Sequence, residues 1–158
     1  MPTFDVSVEV VIESPQVDVS TLAALTERVL EGEHVPAGTG LSLLITDDEE
    51  IRDMNNRFLG IDEPTDVLSF PDEADDFVQG VADDRYLGDI AISLETAVRQ
   101  AAAIGHPLDA ELAHLLVHGI LHLCGYDHVE SPEDEARMRA REEHYLGDLG
   151  VLHTHPHG

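Results

Sequence analysis

The sequence predicts an α+β fold, with about four strands in a mixed sheet and helices packed mostly on one face. Three observations predict it. Apolar patterns of period 2 and period 3.6 succeed one another in the order β-α-β-α-β-β-α-α-α. Of 158 residues, 42% are hydrophobic, which is enough for the core of one domain. No internal repeat and no Pro/Gly/Ser-rich linker divides the chain, so residues 1–158 read as one unit.

Phe4 to Ile12 alternates apolar and polar residues before Val11 and Ile12, the pattern of a half-buried strand. Within Asp18 to Glu31, Leu22, Leu25, Val29 and Leu30 form a helical stripe that Gly32 is placed to stop. Leu41 to Thr46 is a second strand. Thr46, with Glu49 three residues on, resembles a capping box for a helix through about Phe58, ended by Gly60. Asp66 to Phe70 lies between Pro64 and Pro71, which deny ladder hydrogen bonds, so it is expected at a sheet edge or in a hairpin. The acidic stretch from Asp72 to Asp84 reads as an exposed loop. Leu87 to Ile92 is a strand, and Ser93 caps a helix to about Ile104 before Gly105. Pro107 suits the first turn of a helix over Leu108 to Cys124, with Gly125 ending it in the left-handed conformation. Ser131-Pro132-Glu133-Asp134 opens a last helix to about Tyr145, and the tail 151–158 is expected to be disordered.

The charge is lopsided: 33 acidic residues face eight basic ones, all arginine, for a net charge of −25. Such a field repels phosphate backbones and anionic membranes, which excludes a broad electrostatic nucleic-acid binder or a polybasic membrane protein. It leaves room for a small, locally positive site. A carboxylate-rich, lysine-free composition fits either adaptation to high salt or an arginine-favouring genome. The single cysteine, Cys124, rules out an internal disulfide, and with no leader-like start or membrane-length apolar run the expected location is the cytoplasm.

The densest chemistry lies between His114 and His128. His118 and His122 are four apart, so on a helix they share a face with Cβ atoms roughly 5–6 Å apart and can reach one metal. His128 follows the glycine that ends the helix, and the chain can fold back to offer a third nitrogen. The H-x3-H-x5-H pattern leaves a fourth position open, as in a catalytic zinc site at the end of a buried helix. His114 shares the face, but it stands about 12 Å along the axis from His122, too far for both to hold one ion. The set is therefore either His118, His122 and His128, or His114, His118 and another donor, and the glycine turn favours the first. A histidine pair at this spacing arises easily in a chain with ten histidines; the apolar Leu115, Leu116, Ile120, Leu121 and Leu123 around it strengthen the metal reading. Cys124 reads as a small buried hydrophobe, though a thiolate could also fill the fourth position. Asp127 suits either the turn after Gly125 or the orienting of a histidine. The alternation His153, His155, His157 supports at most weak, non-catalytic metal capture.

The stretch His118-Gly119-Ile120-Leu121-His122-Leu123-Cys124-Gly125-Tyr126-Asp127-His128 closely resembles the H-G-x-L-H-L-x-G-Y-D-H signature of the YbeY family of bacterial endoribonucleases. Pro64-Thr65-Asp66-Val67-Leu68-Ser69-Phe70-Pro71 matches that family's P-T-D-V-L-S-F-P, and Leu87-Gly88-Asp89-Ile90 its L-G-D-I, in the same order. The resemblance implies an α+β fold with one zinc per chain held by His118, His122 and His128. It further implies single-strand-specific RNA cleavage, 16S rRNA 3′-end processing and ribosome quality control, with the ribosome or ribosomal proteins as partners. The expected chemistry is a metal-activated water or a metal-polarised phosphate. One feature departs from the family: many members carry an arginine, thought to hold RNA phosphate, where this chain has Leu59 after Phe58. Arg57 and Arg52 are the arginines to which that role can move.

Two rival functions follow from the same residues. A metalloprotease needs a glutamate directly after the first histidine, and that position is Gly119. A non-catalytic, ribosome-associated protein would use zinc only to staple its C-terminal helices. The residue pattern singles out no general base; Asp89, Asp127 and Glu111 are the carboxylates to consider.

Overall fold

The computed structural model describes residues 4–11, 17–71, 86–124 and 132–147. Strands β1 (Asp5–Val10), β2 (Gly40–Thr46), β3 (Val67–Pro71) and β4 (Tyr86–Ser93) form one sheet in the order β1-β2-β4-β3. The first three in that order run parallel, and β3 runs antiparallel to β4 at the edge that its flanking prolines predict. Five helices complete the described fold: α1 (Val19–Gly32), α2 (Asp48–Leu59), α3 (Leu94–Ile104), α4 (Leu108–Leu123) and α5 (Pro132–Gly147). The element order and the mixed four-stranded sheet agree with the sequence reading.

Alternation along the strands divides the core in two. Leu41, Leu43 and Ile45 of β2, with Ile90 and Ile92 of β4, face the side where α1, α3, α4 and α5 contribute Leu30, Leu94, Leu116 and Tyr145. Leu44, Ala91, Leu68 and Phe70 face the other side, which α2 covers with Ile51 and Met54. Helices thus lie mostly on one face. Helix α4 is the centre of that layer, with eleven of its sixteen residues buried, so polar side chains on its remaining stripe are conspicuous.

Local chemistry corrects three boundaries. The cap of α2 is Asp47, whose carboxylate accepts from the Glu50 amide at 2.9 Å, because Thr46 still belongs to the β2 ladder and is buried there. Gly32 does not stop α1: it is the last helical residue, and a Cβ there would overlap the Tyr145 hydroxyl. The left-handed residue beyond that helix is His34, at φ 64°. Pro107 is the N-cap of α4 rather than part of its first turn. By contrast Gly60 and Gly105 end α2 and α3 in the left-handed conformation, and Ser93 caps α3 by accepting from the Thr96 amide. The acidic stretch 72–84, Gly125 and the tail 151–158 lie outside the described residues.

Candidate metal and active site

The helical spacing of α4 does what the sequence requires of it. His118 and His122 stack edge to face at 4.5 Å between ring centroids, and their Nε2 atoms stand 2.9 Å apart. Two nitrogens at ~2.0–2.1 Å from one tetrahedral ion stand about 3.3 Å apart, so the pair converges on nearly one point. His114 lines the same cavity as that pair one turn earlier and shares Glu142 with His118. It is 7% exposed, and its Nε2 lies 3.9 Å from Glu142 Oε1 on α5.

Glu142 defines the chemistry of His118. Its Oε2 lies 2.6 Å from His118 Nδ1, and a carboxylate can only accept, so Nδ1 carries the hydrogen and Nε2 presents its lone pair. Burial alone would push the carboxyl up; His114 and His118 override it and hold Glu142 down to about 2. The position follows from the α5 stripe. Met138 and Tyr145, four residues before and three after Glu142, are buried against the core. Next to it, Arg141 and the Tyr145 hydroxyl both bond Glu33 at the end of α1, at 2.7 and 2.6 Å, and lock α5 in rotation. The sequence reading missed Glu142. A carboxylate inside the Met138–Tyr145 stripe was the signal that could have found it.

Both histidines open on a cavity of about 430 Å³, lined also by Leu59, Asp66, Val67 and Ser69. Ser69 donates from its hydroxyl to the Gly119 carbonyl at 3.2 Å and so ties β3 to α4 beside the histidines. Gly119 faces the sheet: a Cβ would meet Ile90 methyls at 3.1 and 3.2 Å and Ser69 Oγ at 3.2 Å. A glutamate there would drive its carboxylate into the sheet, which removes the metalloprotease arrangement.

Of the expected carboxylates, neither Asp89 nor Glu111 lines this cavity. Asp89 projects from the opposite face of β4 and accepts a hydrogen bond from Tyr86; Glu111 is buried in α4. Among the described residues Asp66, from the P-T-D segment, is the carboxylate of the cavity wall, and it accepts from Gln100 Nε2 at 3.3 Å. The arginines considered for phosphate are held elsewhere: Arg52 pairs with Asp62 at 2.8 Å and Arg57 with Asp53 at 2.9 Å. Cys124 is half-buried at the end of α4, and burial, with Glu33 nearby, pushes its thiol up to about 12. Among the described residues no three His, Cys, Asp or Glu side chains cluster as a metal site. His128 and Asp127 lie outside the described residues, as do His153, His155 and His157.

Comparison with known proteins gives the family. Residues 8–150 match the family model described as Endoribonuclease YbeY. The chain belongs to the YbeY family. A relative from Chloroflexus aggregans, named Endoribonuclease YbeY, is 49% identical over 151 residues, covering 92% of this chain and 97% of that protein. A YbeY relative from Roseiflexus castenholzii is 48% identical over 136 residues, covering 85% and 86%. The same fold occurs in a solution structure of a Thermotoga maritima protein, with a TM-score of 0.60, 23% identity, and coverage of 97% of this chain and 99% of that one. No helix among the described residues of this YbeY-family chain is long and apolar enough to cross a membrane.

Proposed function

We propose that this chain is a zinc-dependent, single-strand-specific endoribonuclease that acts in the cytoplasm on 16S rRNA 3′-end processing and ribosome quality control. One ion per chain would be held by His118, His122 and His128, within a single domain spanning residues 1–158. The observation that carries the reading is the convergence of the two Nε2 atoms at 2.9 Å, with His118 oriented by Glu142. The donor set suits zinc, which takes imidazole nitrogens oriented by carboxylates. When bound, zinc supplies Lewis-acid stabilisation of charge developing on a phosphoryl oxygen.

The chain's own residues do the rest. Glu142 keeps the proton of His118 on Nδ1, so Nε2 stays a donor of electrons. Ser69, by bonding the Gly119 carbonyl, fixes the distance between β3 and the histidine face of α4. To Asp66, a carboxylate of the cavity wall, we assign the acceptance of a proton from an attacking water. With a net charge of −25, RNA reaches this cavity through local contacts or on a ribosomal partner rather than through a long-range field.

The test is metal analysis with an RNA assay. Zinc near one equivalent should fall when His118, His122 or His128 becomes alanine, and cleavage of single-stranded rRNA should fall with it while casein stays intact. Full zinc retention by all three variants would overturn the ligand set. A cobalt–thiolate charge-transfer band in the cobalt-substituted protein would place Cys124 on the metal and favour a stapling role instead.

A further inference from the structure

The sheet face that α2 covers only in part carries a second concavity. A groove of about 770 Å³ runs over it, lined among others by Ser42, Met54, Phe58, Phe70 and Asp89. Its floor is built by register: Ser7 pairs with Ser42, Ser42 with Asp89 and Asp89 with Phe70, so one row crosses all four strands and ends on an aromatic ring. At that end Phe58, 60% exposed, packs against Phe70 at 5.3 Å between ring centroids. The Arg57 guanidinium lies 5.2 Å from the Phe58 ring centre and steadies it. Leu59, Ser69 and Pro71 line both this groove and the histidine cavity. Edge strand β3 is thus a thin wall between them, with Ser69 turned to α4 and Phe70 to the groove.

We propose that Phe58 and Phe70 form a stacking platform for an unpaired nucleobase of the RNA strand whose neighbouring nucleotide lies in the histidine cavity. The inference rests on the endoribonuclease reading above. Continuity across β3 supplies the path, and the chemistry of the walls selects the occupant. Among the described residues no arginine lines the groove, Arg57 beside Phe58 is paired with Asp53, and Glu9 and Asp89 do line it, so a phosphate is disfavoured there. A base is neutral, has a π-face for the exposed ring, and carries exocyclic amino groups that the two carboxylates can accept from. Leu59, 55% exposed, extends the apolar surface beside Phe58.

The test uses a short single-stranded RNA carrying one 2-aminopurine, titrated into the full chain with chelator present, so that binding is read without turnover. Stacking should quench the fluorescence. Phe58→Ala should weaken binding by about 5- to 150-fold and abolish quenching, Phe58→Tyr should restore both, and the salt dependence should stay unchanged because no phosphate contact is lost. Wild-type affinity and quenching in Phe58→Ala, with RNA cleavage intact, would overturn the platform and leave the endoribonuclease reading standing. A wild-type chain that neither binds nor cleaves single-stranded RNA would overturn both. A concentration-dependent dimer that Phe58→Ala dissolves would assign the face to a second copy of the chain and overturn the proposal.

Discussion

Replacing Glu142 tests the link between α5 and the histidines. Its carboxylate is 16% exposed and accepts the His118 Nδ1–H at 2.6 Å, the length of a charge-assisted bond. A hydrogen bond to a charged group contributes about 1.5–3 kcal/mol, which corresponds to roughly 10- to 150-fold in an equilibrium constant. Loss of an orienting carboxylate typically weakens metal binding by about 10–100-fold, so the two magnitudes agree. Glu142→Ala should therefore weaken zinc binding within that range. Glu142→Gln should recover part of the loss, since its amide oxygen still accepts from Nδ1–H without the charge. Competition with a chromogenic chelator measures the affinity. Nitrogen-15 NMR of the metal-free protein measures the tautomer, which should shift from hydrogen on Nδ1 toward hydrogen on Nε2 in Glu142→Ala. Unchanged affinity in both variants, with His118 already carrying its hydrogen on Nε2 in the wild type, would refute the reasoning.

Three further outcomes are expected. Gly88 has φ 153°, and a Cβ there would stand 2.5 Å from the Phe70 carbonyl oxygen; Gly88→Ala should cost at least about 1–3 kcal/mol, read as a loss of several degrees in Tm, and a Tm within about a degree of wild type would contradict this. Asp48 feels burial, which raises its pKa, but accepts hydrogen bonds from Ser93 and Thr96 and pairs with Arg99, which together hold it below its ordinary value. A depressed carboxyl stabilises the fold above its unfolded pKa and loses that contribution as pH falls through its folded value, so Asp48→Asn should lower Tm at neutral pH and converge with wild type in strong acid; parallel curves across the whole range would exclude it. With a net charge of −25, self-repulsion should ease as the Debye length shrinks from about 10 Å at 0.1 M to about 3 Å at 1 M salt. Tm should rise over that interval in a salt titration, and a flat or falling trend would remove repulsion as a significant cost.

Local chemistry made most of the fold legible in the sequence. Alternation in β1, the apolar stripe of α1, the serine cap of α3 and the left-handed glycines Gly60 and Gly105 depend on neighbours within a few residues. So does the convergence of His118 and His122, because a helix places residues four apart on one face whatever surrounds it. Even the edge position of β3 follows from Pro64 and Pro71, which cannot donate to a ladder.

Contacts between distant segments were not legible. Gly32 looked like a helix stop and is instead the seat of Tyr145, more than a hundred residues away. Asp89 looked eligible as a base until the sheet turned it to the face opposite the histidines, while Asp66 came to the cavity wall through the edge position of β3. Glu142 is one of several carboxylates in a carboxylate-rich helix, and only the packing of α5 on α1 and α4 chose it to hold His118. The sequence by itself determined which side chains could meet along one helix or strand, because backbone periodicity is a local property. Which carboxylate meets which histidine, and which aromatic rings border their cavity, the tertiary structure alone decided, because those choices depend on the rotation of one packed element against another.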